Sequence, residues 1–322
     1  MAQADVGSGP VKPLADVFKG INAPKHVVVR VHRDGDPFPV EVDDGYLFVS
    51  GDLKVAQFWL QARPWRGLLL TGPTGSGKTA LVEQVAARTG WPLFPVACHG
   101  ELEFQELIGR VVLNKDGSTG WQDGPAIQAA KAGGILLLDE MNFLRPSVVG
   151  GLNALLDARR YVVPETGEDV AIHPDFRIAA TANAVAGDQG TSYRGTQKQN
   201  LALLDRFIGV EKGYMAEEDE IKVLTSRVPE LKEPIARLMV GFANSLRSMN
   251  TEGRIPETLS LRVLSTWATF VVAFAGQGEN EQAKSLSVAL EPALLFRCAA
   301  ESKSVIAEAM REVVQRHYPQ LA

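Results

Sequence analysis

Gly72-Pro73-Thr74-Gly75-Ser76-Gly77-Lys78-Thr79 follows an apolar run at 68–70 and leads into a segment of helical spacing, 80–89, that stops at Gly90. Each residue type in this octapeptide has a chemical reason. Glycines let the main chain wind tightly enough for several N–H groups to point inward at a phosphate, and the start of the next helix adds its positive end. Lys78 is expected to reach the terminal phosphates of ATP, and the Thr79 hydroxyl to hold Mg²⁺. All eight residues, Gly72 to Thr79, are read as the cradle of a nucleotide. The pattern arises by chance in a chain of this length only about once in a hundred sequences, and here the required strand and helix flank it as well.

Outward from the loop, short apolar runs alternate with helical segments. Residues 68–70, 92–96, 135–138, 177–180 and 207–210 read as strands. Continuous apolar strands separated by helices imply an α/β fold, a parallel sheet covered on both faces. After about Tyr214 the strand signals stop. Four amphipathic segments follow, 217–227, 234–249, 261–275 and 283–317, with a break expected near Pro292. Leu238, Phe242 and Leu246 recur at helical spacing, so this part reads as an α-helical lid domain. Upstream, residues 1–14 lack periodicity and are read as a tail. The apolar piece 14–18 and the alternating stretch 26–32, expected as a strand, make an arm. The expected division is an arm over 1–45, a nucleotide domain over 46–213 and a helical lid over 214–322.

Gly134-Ile135-Leu136-Leu137-Leu138-Asp139-Glu140 is a buried-type strand ending in two acids. Alone, such a run means a strand and then a helix start. An acid at the C-terminal edge of a parallel strand, however, lies where α/β sheets bind ligands. Downstream of a phosphate loop, Asp139 is expected in the Mg²⁺ shell and Glu140 is expected to polarise the attacking water.

The ordered set of phosphate loop, Asp139-Glu140 and Ala180-Thr181-Ala182-Asn183 at the end of another strand resembles the P-loop AAA+ ATPases. That resemblance implies ATP hydrolysis, with Asn183 as the polar sensor that positions water near the γ-phosphate. Gly190-Thr191-Ser192-Tyr193-Arg194-Gly195-Thr196-Gln197, Asn200 and Leu204-Asp205-Arg206-Phe207 are similar to the MoxR branch. This is the group of the CbbQ/NorQ-type activating ATPases and the small AAA+ subunit of aerobic cobaltochelatase. The likeness runs from Tyr46-Leu47-Phe48 to the last helices, and for the chelatase subunit it reaches Leu14-Ala15-Asp16-Val17-Phe18.

Several expectations follow from the resemblance. Arg206 matches the arginine finger that enters a neighbouring subunit's site, although from residues alone it also reads as a surface arginine at a strand start. Arg262, after Ser260-Leu261, matches the second sensor and falls in the first helical turn if Ser260 caps that helix. The assembly implied is a homo-oligomeric ring, a hexamer, working on a client protein with a von Willebrand A partner. Two hairpins match inserts of the branch. One turns at Asn114-Lys115-Asp116-Gly117 and is followed by a helix opened by Pro125; the other spans 161–172 and turns at Pro164-Glu165-Thr166-Gly167. The chain has no Asp-x-Ser-x-Ser motif, so a von Willebrand A module would be a separate chain.

Composition limits the alternatives. Lys and Arg number 33 against 38 Asp and Glu, a net charge of −5, and the first insert carries Arg110, Lys115 and Lys131 against Glu101, Glu103, Glu106, Asp116 and Asp123. Neither suits a DNA-threading motor. A metal chelatase uses the same motor, but chelatase-like members tend to follow the acid pair with an aromatic and an acid, where this chain has Met141 and Asn142. Cys98 and Cys298, the two cysteines, lack companions at zinc spacing. The start MAQADVGSGPVK has an early acid and no apolar core, and the most apolar later run, 261–275, contains Arg262 and is too short to span a bilayer, so a cytoplasmic protein without signal peptide or membrane helix is expected.

Overall fold

The computed structural model describes residues 10–18, 21, 23–31, 40–61, 66–183, 201–275 and 278–321. Its order of elements follows from where apolar residues stop being continuous and become helically spaced. The chain starts with strand β1 (Val11–Pro13), helix α1 (Leu14–Val17), β2 (Val28–Arg30) and α2 (Ser50–Gln61). The nucleotide-type fold then runs β3 (Gly67–Thr71), α3 (Lys78–Thr89), β4 (Leu93–Ala97), α4 (Phe104–Ile108), β5 (Gly109–Leu113), β6 (Thr119–Asp123), α5 (Pro125–Ala132) and β7 (Ile135–Asp139). It continues through α6 (Pro146–Asp157), β8 (Arg160–Val162), β9 (Asp169–Ala171), β10 (Arg177–Ala182), α7 (Leu201–Leu204) and β11 (Phe207–Glu211). Helices α8 (Glu217–Arg227), α9 (Glu233–Thr251), α10 (Leu261–Ala275), α11 (Glu279–Ala293) and α12 (Ala300–His317) complete it.

Five strands make the central sheet in the order β11-β3-β10-β7-β4, every pair parallel. The five are those expected from the apolar runs; four are lengthened by a residue or two where ladder bonds continue past the apolar stretch, and β4 is shifted one residue toward the C-terminus. Alternation along each strand sorts side chains to two cores. Leu68, Leu70, Ile135, Leu137 and Ala179 pack with α2, α3 and the N-terminal elements. Leu69, Leu136, Leu138, Ile178 and Ala180 pack on the other face with α5 and α6. A sheet buried on both faces in this way tolerates few polar side chains in its strands. Strand β10 lies between β3 and β7, and Ala182 is level with Thr71, so the C-terminal ends of the three strands meet at one edge.

The N-terminal reading needs a correction. Val11–Pro13, read as tail, pairs antiparallel with Val28–Arg30, so the strand expected over 26–32 is short and its partner comes from upstream. Leu14, Phe18 and Val29 are buried with Leu81 and Val85 of α3, and the arm packs on the nucleotide-type core. A ribbon made by pairing across an intervening stretch leaves no local periodicity to read. Helix α3 also begins at Lys78, two residues before the expected start. Gly77, in the left-handed region at φ 85, lets the loop pass directly into the helix. At the other end Gly90, φ 67, caps it by donating its N–H to the Ala86 carbonyl.

The chain separates into two units. One comprises Met1–Asp44, Phe48–Pro73 and Gly77–Lys212; the other comprises Gly45–Leu47, Thr74–Ser76 and Gly213–Ala322. In the second, α8 to α12 surround Trp267, whose indole N–H donates to the Leu286 carbonyl at 3.0 Å. The break expected near Pro292 falls just after it. Proline lacks an N–H to continue the ladder, α11 ends at Ala293, and a 3-10 turn at Leu295–Arg297 precedes α12. No helix among the described residues is long and apolar enough to cross a membrane.

The second unit also buries a charge pair. Arg247 donates to both Glu220 oxygens at 2.7 and 2.8 Å and to the Leu259 carbonyl at 2.8 Å, and its guanidinium lies 4.0 Å over the Tyr214 ring. Arg247→Ala strands the Glu220 carboxylate and is expected to destabilise the protein by about 3–5 kcal/mol. The double replacement Arg247→Met with Glu220→Leu should recover most of that loss, because neither charge then remains. Urea unfolding of wild type, single and double variants checks both statements. A single variant as stable as wild type defeats the first.

Candidate functional site

The phosphate loop is shaped by close backbone approach. Gly72, at φ 137, has the Lys212 carbonyl so near that a Cβ there would sit 2.1 Å from its oxygen. Lys212 follows β11 and donates its N–H to the Thr71 carbonyl at 2.7 Å, which carries the β11–β3 ladder to the foot of the loop. Its buried ammonium is held by Asp52 of α2 at 2.6 Å. A side chain at 72 would push the loop off this support.

Lys78 opens α3 and its side chain curls back. The ammonium donates to the carbonyls of Gly72 and Pro73 and to Asn183 Oδ1, each at 2.9 Å. Burial lowers its pKa to about 8, against the pull of Asp139 and Glu140. Thr79, one residue on, donates its hydroxyl to Asp139 Oδ1 at 2.7 Å. Lys78, Thr79, Asp139 and Asn183, which come from three segments of the chain, therefore meet at the C-terminal edge of the sheet. The Ser76 hydroxyl of the loop is buried and has no partner among the described residues.

Glu140 is exposed and has φ 58 and ψ 44, the only non-glycine with positive φ among the described residues. Such a conformation carries a free-energy cost on the order of 1–2 kcal/mol for an L-residue and is kept where the surroundings enforce it. It turns the chain abruptly off the end of β7. Negative charge accumulates around this point. Burial, then Asp139, raises the pKa of Glu83 in α3, and burial, Asp139 and Glu140 push the Cys98 thiol up to about 12.

Two expected arginines remain. Arg206 precedes β11 and grips Asp157 at the end of α6, with Nε 2.9 and 2.8 Å from its two oxygens and Nη2 2.6 Å from Oδ2. Arg262 belongs to the second unit and is exposed in the first turn of α10, where the Ser260 hydroxyl accepts the Val263 N–H at 3.3 Å, the cap expected of it. The stretch 190–197 and Asn200 lie outside the described residues. Both hairpins form, β5 with β6 and β8 with β9, and Lys131 of α5 binds Asp123 at the end of the first and Glu168 in the turn of the second, each at 2.7 Å.

Sequence reasoning passed over Thr181 and Asp157. Thr181 donates its hydroxyl to Asp139 Oδ1 at 2.6 Å and accepts the Glu140 N–H at 2.9 Å. A hydroxyl inside an otherwise apolar strand, level with an acidic strand end, was the available signal. Asp157 left none, because its partner is distant in the chain.

A parallel sheet with a phosphate loop on one strand and a paired acid one strand beyond its neighbour defines a nucleotide-binding domain of the AAA class. Residues 67–207 match the AAA domain (dynein-related subfamily), and residues 220–317 match the CbbQ/NirQ/NorQ C-terminal domain. Protein NorQ of Paracoccus denitrificans is 31% identical over 252 residues, covering 78% of this chain and 88% of NorQ. Denitrification regulatory protein NirQ of Pseudomonas aeruginosa is 32% identical over 264 residues, 81% of this chain and 92% of NirQ. An uncharacterised protein of Staphylococcus epidermidis is 35% identical over 206 residues, 62% of this chain and 75% of its own. The chain belongs to the CbbQ/NirQ/NorQ family of AAA ATPases, a MoxR-type group.

Proposed function

We propose that the protein hydrolyses ATP to ADP and phosphate and uses the cycle, as a ring of identical subunits, to remodel or activate a client protein together with a von Willebrand A partner. The observation that carries this is the convergence of Lys78, Thr79, Asp139 and Asn183 in one hydrogen-bonded cluster beneath the phosphate loop. In this reading the loop 72–79 binds the phosphates through its N–H groups and Lys78 exchanges its carbonyl partners for phosphate oxygens. Asn183 and Glu140 orient water at the γ-phosphate, Glu140 taking its proton. Arg206 and Arg262 supply positive charge as that group departs, Arg206 to the site of the next subunit. The description of NirQ as a denitrification regulatory protein supports a role exerted on another protein.

Magnesium fits the oxygen donors present. A hydroxyl and a carboxylate 2.7 Å apart, in a region where burial and crowded acids already raise the pKa of Glu83, suit a small hard cation. Thr79 and Asp139 would hold it. Bound there, the ion would offset the negative charge of the phosphates.

The deciding experiment is equilibrium binding of a fluorescent ATP analogue with light scattering on the same samples. Wild type should bind and form a larger particle with nucleotide, and Lys78→Ala should do neither. If Lys78→Ala binds as wild type does, the assignment of the loop fails.

A further inference from the structure

We infer that Thr181 is a positioning residue for the hydrolytic site, one hydroxyl that fixes both the carboxylate of Asp139 and the turn that presents Glu140. The inference rests on the proposed roles of Asp139 and Glu140 and extends them to a residue in neither the phosphate loop nor the acidic pair.

Its basis is the placing of one oxygen atom. A threonine hydroxyl has one proton to donate and can accept from another group. Here the proton goes to Asp139 Oδ1 at 2.6 Å, and a lone pair takes the Glu140 N–H at 2.9 Å. The two partners are consecutive residues of β7 and the turn after it, and Thr181 stands on β10, the strand paired with β7. The bonds therefore cross from one strand to the next at the point where the parallel ladder ends. The second bond falls on the residue whose backbone is strained, at φ 58. Strain of this kind persists only where partners hold it, and the Glu140 N–H is one handle by which it is held.

Packing alone does not account for the residue. Thr181 is 1% exposed in the strand Arg177–Ala182, where Ala179, Ala180 and Ala182 are also buried. Valine has nearly the same shape and favours strands equally. Burying a hydroxyl is unfavourable unless it is bonded, so threonine is tolerated here because both bonds form. The arrangement also fixes the carboxylate's direction. Asp139 Oδ1 receives the Thr79 and Thr181 hydroxyls together, at 2.7 and 2.6 Å, which orients the second oxygen, Oδ2. Outer partners that orient a metal-binding carboxylate are typically worth about 10- to 100-fold in metal affinity.

The test reads magnesium dependence of binding separately from turnover. Affinity for a fluorescent ADP analogue is measured in EDTA and across a Mg²⁺ titration for wild type, Thr181→Val, Thr181→Ser and Asp139→Ala, with a thermal melt of each. Thr181→Val is expected to bind ADP in EDTA as wild type does, while its Mg²⁺ half-saturation rises about 10- to 100-fold. Thr181→Ser keeps the hydroxyl and should return to within about threefold of wild type. A folded Thr181→Val with wild-type Mg²⁺ half-saturation overturns the proposal, as does an equal loss of affinity with and without Mg²⁺, which marks a general effect on the loop. Asp139→Ala distinguishes the underlying reading. If it leaves the Mg²⁺ response unchanged, the magnesium assignment fails and Thr181 with it; if it abolishes the response while Thr181→Val does not alter it, only the role of Thr181 fails.

Discussion

Arg206→Ala should bind ATP almost as wild type does and hydrolyse it about 10³- to 10⁵-fold more slowly, the range by which an arginine finger accelerates phosphoryl transfer. The transferred group spreads negative charge over its oxygens in the transition state, and a guanidinium presented there stabilises that charge much more than the ground state. In the single chain Arg206 is engaged with Asp157 through three close contacts. Both side chains are partly exposed, and an ion pair of that kind is weak in water, so Asp157 does not sequester the arginine. Mixing variants gives the sharper result. Lys78→Ala lacks a working pocket but can lend Arg206, and Arg206→Ala has a pocket but nothing to lend. Mixed rings should regain part of the activity that neither variant shows alone. A mixture that stays inactive although subunits exchange, or an Arg206→Ala protein with full turnover, makes Arg206 a structural residue that ties the start of β11 to the end of α6.

Glu140→Gln should retain nucleotide binding and lose turnover by about 10²- to 10⁴-fold, the usual contribution of a positioned proton acceptor. Glutamine inherits the same backbone conformation and the same N–H bond to Thr181, so folding and loop geometry are unchanged and the loss reports the carboxylate alone. Rapid-quench hydrolysis beside equilibrium binding separates the two effects. Wild-type turnover in purified Glu140→Gln removes Glu140 from the chemistry. The contrast with Lys78→Ala, expected to lose binding itself, distinguishes the residue that holds phosphate from the residue that acts on water.

What the amino-acid order disclosed and what it hid divide along a physical line. The phosphate loop, the five sheet strands and the helices after Tyr214 are local patterns, an uninterrupted apolar run or a helical spacing, and each was readable where it stands. The meeting of Lys78 with Asn183 and of Thr79 with Asp139 required the order of the strands, which is a property of pairing and not of any one segment. Thr181 shows the difference plainly: its strand was legible, but its importance depends on which strand lies beside it. Val11–Pro13 was missed for the same reason, since its partner lies upstream of β3 and shares no turn with it. Helix α2 was passed over although Leu53, Ala56 and Leu60 recur at helical spacing, and its Gln57 and Gln61 both donate to the Val28 carbonyl and tie the ribbon down.

Lys131 gives the two hairpins a shared mechanical fate. Its ammonium is anchored to Asp123 in one and Glu168 in the other, and it projects from α5, whose residues Ala126, Ile127, Ala129 and Ala130 are rooted in the core. With the Lys131 side chain 38% exposed, each half of this tie is worth no more than a few tenths to about 1 kcal/mol and weakens with salt. That magnitude is comparable with thermal energy. Each hairpin is thus held to the core helix α5 by a compliant spring and not by a strut.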